Sequence, residues 1–146
     1  MKTNIPPLLR ILAVGSLLLA FVSSASADLQ SPKSVSAALR VLNQVVGHTG
    51  RRVASQDYDK VGGEHGEFTE GAAMLREALR GEPADFAAKV STALDAAVKA
   101  SENMGKVAAS DGSKAEAAHA EFAAKVKAVI DLFPQDVRPK PRQKKQ

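Results

Sequence analysis

The chain has 146 residues, a formal net charge of +4 and no cysteine. Without cysteine, disulfides, thiolate zinc sites and cysteine nucleophiles are all excluded. The positive charge is local: Lys2 and Arg10 carry +2 within residues 1–27, and Arg138, Lys140, Arg142, Lys144 and Lys145 against Asp136 carry +4 within residues 135–146, which leaves about −2 over residues 28–134, so no basic face marks the body as a nucleic-acid binder.

The N-terminus reads as a leader. Lys2 and Arg10 precede the apolar run "ILAVGSLLLAFV" at residues 11–22, and Ala25-Ser26-Ala27 follows as a small-residue cleavage signal. This is the pattern of a secretory signal peptide over residues 1–27, cut after Ala27. The apolar run is shorter than the roughly 20 residues that a membrane span needs. The expected destination is the periplasm or the medium, with no membrane-spanning segment left after cleavage.

Residues 28–134 carry an apolar repeat of three and four, the period of amphipathic helices, and no period-2 strand pattern. The first helical segment opens at "SPKS", with Ser31 as cap and Pro32 at the first helical position, and buries Val35, Leu39, Leu42, Val46, Thr49 and Val53. Gly47 and Gly50 interrupt it, each at a cost of about 1 kcal/mol relative to alanine, and suit close packing against a neighbour. The second segment starts near Asp57, keeps Tyr58, Val61, His65, Phe68, Ala72, Leu75 and Leu79 in phase, and ends at Gly81. Gly62, Gly63, Gly66 and Gly71 lie off that stripe and weaken the helix without breaking its period. The third runs from Pro83 to Ala109 on Phe86, Val90, Leu94, Ala97, Ser101 and Met104. "SDGS" turns into the fourth, where Ser113 and Glu116 have capping-box spacing and Ala115, Ala118, Phe122, Val126, Val129 and Phe133 form the stripe up to Pro134. Four such helices on short connections predict an all-α fold, an antiparallel four-helix bundle. Residues 135–146, basic and proline-spaced, are expected to be a disordered tail that contacts anionic surfaces.

His65 is the candidate cofactor ligand because it lies on an apolar stripe; it would hold b-type haem or an ion between helices. His48 and His119 lie beside their stripes, and His48, His65 and His119, with Met74 or Met104, compose a candidate metal set; methionine would favour copper. The alternative for His65 is a partly buried histidine bonded to a backbone group or to a neighbouring helix. Glu116 and His119 make one E-x-x-H, where a di-iron bundle needs two with two further glutamates. The chain carries no G-x-S-x-G, H-E-x-x-H or P-loop motif, so nothing supports an enzyme.

Asp57-Tyr58 between the first two helices and Pro83-Ala84-Asp85-Phe86 opening the third resemble the exported cytochromes of the cytochrome c-prime type. Those are secreted four-helix bundles that end their last helix with C-x-x-C-H and an aromatic three residues on. Aligned on Phe133, this chain has Val126, Val129 and Ile130 where the two haem-bonding cysteines and the axial histidine would be, so the resemblance implies the fold but no haem-binding residue. The expected protein is a non-enzymatic exported binding module, a haemless relative whose cofactor positions became ordinary core. No cofactor is required, and the alternative is a protein holding haem b or copper through His65. The partner stays open among another protein, an envelope surface and a second copy forming a homodimer.

Overall fold

The computed structural model describes residues 28–140. The expected signal peptide, residues 1–27, and the last six residues of the basic tail lie outside them. Four helices make up the body: α1 Pro32–Ala54, α2 Glu64–Ala78, α3 Ala84–Ser110 and α4 Ala115–Ile130. They pack as a four-helix bundle in which α1 lies against α2 and α4, and α3 against α2 and α4. No helix among the described residues is long and apolar enough to cross a membrane.

The direction of packing can be read from individual contacts. Gln30, just before α1, meets Glu82 after α2. A Cβ on Gly71 in α2 would sit 2.9 Å from Val41 Cγ1 in α1, and His48 near the end of α1 faces Glu64, the first residue of α2. All three pairs are centred on Gln56, so α1 and α2 are antiparallel arms of one hairpin. Gln56 itself has φ 58, the left-handed turn that reverses the chain. His65 meets Ser101, and Arg76 meets Asp95, which makes α2 and α3 antiparallel as well.

The buried stripes follow the predicted ones with local shifts: Val45 rather than Val46 is buried in α1, and Val53, Tyr58, Phe86 and Ala118 are only partly buried. Leu39, Leu42, Phe68, Leu75, Leu94, Met104, Phe122 and Phe133 are the large side chains at the centre. Phe68 and Phe122 meet edge to face with centroids 4.9 Å apart, and Phe86 and Phe133 do so at 5.5 Å, the favoured geometry for aromatic pairs.

Local differences have local causes. The second helix starts at Glu64 rather than Asp57, because Tyr58–Lys60 is a 3-10 turn and the amides of Glu64, His65 and Gly66 bond three residues back instead of four. The three glycines at 62, 63 and 66 make that tight start tolerable. Gly71 is buried although it lies off the stripe: a Cβ there would meet Val41 and Leu42 of α1 at 2.9 and 3.0 Å. The capping box does not form, since Ser113 lies in a second 3-10 turn, Gly112–Lys114, and its hydroxyl donates to the Asp111 carboxylate. Ser31 and Pro32 do open α1, though without a side-chain cap bond.

The expected boundary at Pro134 also moves. Val137 is only 4% exposed and belongs to the core, while Arg138 donates to the carbonyls of Phe133 at 2.7 Å and Asp131 at 3.0 Å. Both carbonyls lie just past the end of α4, and this guanidinium gives the turn that follows the helix its partners. Val137 and Arg138 therefore pack onto the folded unit past the expected boundary at Pro134.

Candidate functional site

Among the described residues one buried side-chain oxygen lacks a hydrogen-bond partner, and it lies at the end of the bundle where α1 turns into α2. His48 and Arg52 stand one turn apart on α1, and Glu64 and Glu67 one turn apart on α2. Their facing follows from the hairpin register, which places residue 48 opposite residue 64. Glu64 is 9% exposed. Its Oε1 lies 3.7 Å from Arg52 Nε, and its Oε2 lies 3.8 Å from His48 Nδ1. Both distances exceed hydrogen-bond length, and Oε2 is buried with no hydrogen-bond partner.

Arg52 is held elsewhere: its Nη1 donates to Asp57 Oδ2 at 3.0 Å, an oxygen that also accepts from Lys60 Nζ at 2.9 Å. The bond from Lys60, with Arg52 adding to it, keeps the Asp57 carboxyl below its usual range. His48, Arg51, Arg52, Ser55 and Glu64 line an open pocket of about 300 Å³. Ligand atoms of His48, Glu64 and Glu67 all lie within 4.8 Å of one another, and they are the one group of three or more such side chains among the described residues.

The three histidines engage three different partners. His65 points at α3, where its Nδ1 is 3.0 Å from Ser101 Oγ. This is the bonded histidine weighed as the alternative in the sequence. It has the make-up of a nucleophile and its base, yet Ser101 is 1% exposed, so no substrate reaches the hydroxyl. His119 donates from Nε2 to the Val46 carbonyl at 3.0 Å, because a carbonyl only accepts. Its ring lies over Gly50, where a Cβ would come within 3.0 Å of it. Gly50 is thus a packing glycine, as expected of it, whereas Gly47 is exposed and meets only Arg51 of its own helix, so the same expectation fails there. Met74 is exposed on α2 and Met104 is fully buried in α3. Glu116 and His119 share a second open pocket of about 400 Å³ with Tyr58, Gln56 and Ser113.

Sequence reasoning found His48 and missed Glu64, Glu67 and Arg52. The available signal was register: in a hairpin centred on "SQDYD", a histidine eight residues before the turn faces a glutamate eight residues after it. No protein-family model, no curated protein and no solved structure matches the chain.

Proposed function

We propose that this chain is an exported four-helix bundle that works by binding, a haemless module of the cytochrome c-prime type. The leader-like N-terminus, with its A-x-A signal, supports export. The observation that carries the binding reading is the contrast between core and surface. Val126 and Val129, aligned with the haem cysteines of that family, are buried among apolar neighbours, and Ile130 packs against the same core. The buried side-chain atom without a partner lies instead beside an open pocket at the α1–α2 turn.

Expression of the full chain in a bacterial host, followed by cell fractionation and N-terminal sequencing, tests the export half. Periplasmic protein beginning at Asp28 is expected, and an uncleaved cytoplasmic chain would overturn it. Titration with haem and with copper tests the rival reading, a cofactor held through His65. A Soret shift that disappears in His65→Ala would establish the rival; unchanged, colourless protein would remove it.

A further inference from the structure

We propose that His48, Glu64 and Glu67 form a binding site for a divalent first-row transition ion, zinc being the probe that fits it best. This deepens the binding reading at the same end of the bundle, and rests on it. The argument begins with Glu64 Oε2. A buried carboxylate oxygen without a partner is costly and calls for an explanation. The other glutamate of equal exposure, Glu82, has a partner: it accepts the backbone N–H of Gln30 at 2.7 Å. The fold therefore satisfies one such carboxylate and leaves the other facing a histidine nitrogen 3.8 Å away.

That spacing suits a shared ion. Zinc bonds of about 2.0–2.1 Å place two tetrahedral ligands about 3.3–3.5 Å apart. Closing from 3.8 Å takes a few tenths of an ångström, within reach of two side chains on adjacent helices. Glu67, one turn along α2, brings a third donor within the same 4.8 Å limit. One imidazole and two carboxylates suit zinc or a similar ion, whereas calcium and magnesium favour all-oxygen shells. Three protein ligands leave a position open, and the pocket lined by Arg51, Arg52 and Ser55 adjoins it.

Charge points the same way. Two carboxylates beside a neutral imidazole leave the group at −2, and Arg52, already bonded to Asp57, offsets part of it. A divalent cation removes the remainder.

The test is isothermal titration of the purified, chelator-stripped chain with zinc chloride, alongside a cobalt titration read by visible absorption. Binding of about one zinc per chain is expected, with tetrahedral or five-coordinate cobalt bands. His48→Ala, Glu64→Gln and Glu67→Gln should each weaken it by about tenfold or more, with circular dichroism confirming that each variant is folded. His65→Ala and His119→Ala should bind as the parent does. Absence of zinc binding would overturn the proposal, as would binding lost in His65→Ala or His119→Ala but kept in His48→Ala. Cytoplasmic location would sink export and leave the zinc result untouched.

Discussion

Two glutamates mark the two ends of the α1–α2 hairpin. Glu64 and Glu82 have the same 9% exposure and sit opposite α1 residues in the same register. At the Glu82 end the polar groups are closed up: Gln30 donates to Glu82 from its backbone and to the Gly81 carbonyl from its side chain. Gly81, at φ +90, is the left-handed residue that lets its carbonyl point there. Phe86 packs on Phe133, Val137 covers the core and Arg138 donates to the carbonyls of Asp131 and Phe133 just past α4. At the Glu64 end the glycines loosen the start of α2, Arg52 is shared, and a carboxylate oxygen is left over. The difference teaches that one helical hairpin can hold its two ends to different standards. The closed end spends its polar groups on the fold, and the open end keeps some in reserve.

The comparison breaks most severely if the closed end is not the stabilising one. Phe133→Ala removes a buried ring with an aromatic partner and should lower unfolding free energy by about 3–5 kcal/mol, measured by urea denaturation. Under native conditions the NMR signals of His48 should stay in place, because the two ends share no polar contact among the described residues. Displaced His48 signals would mean that the ends are coupled.

A smaller pair of effects tests the glutamates themselves. Glu82→Met deprives the Gln30 amide of a charged acceptor and should cost about 1–2 kcal/mol. Glu64→Met removes an unpartnered buried oxygen while Arg52 keeps Asp57, so stability should lie between unchanged and about 1 kcal/mol higher. Equal losses in the two variants, by the same urea measurement, would erase the distinction between the ends.

Much of this was legible in the sequence, and the reasons differ by level. Helix period is written into side-chain size, so Phe68, Leu75, Leu94 and Phe122 could be placed in the core without coordinates. Caps depend on side-chain rotation, so Ser113 and Glu116 had the spacing of a capping box and still did not form one. Val137 was obscured because the prolines and cations around it dominate the composition of the tail, although one apolar residue and one arginine suffice to dock it. Glu64 was obscured for another reason. It lies next to the conspicuous His65 and off the apolar stripe, and only the hairpin register, centred on Gln56, shows that its partner is His48.

The smallest expected effects concern acid. At the open end Lys60, with Arg52 behind it, holds the Asp57 carboxyl below its usual range; at the closed end Lys127, with Arg138 behind it, does the same for Asp131. A carboxyl whose folded pKa is depressed stabilises the fold above its unfolded value, and that stability is lost as pH falls from about 4 towards the folded value. Asp57→Asn and Asp131→Asn should therefore each flatten the acid limb of a stability–pH curve. Each deficit should vanish at low pH and shrink at high salt, because both pairs are exposed. The two deficits should not be equal at neutral pH. Losing Asp57 frees Arg52 to close the 3.7 Å gap to Glu64, which returns part of the loss, whereas Arg138 has no second carboxylate beside it among the described contacts. A larger deficit for Asp131→Asn is the expected outcome. Equal deficits would mean that Arg52 does not respond to Glu64, and the reserve of charge at the open end would then be His48 and the two glutamates alone.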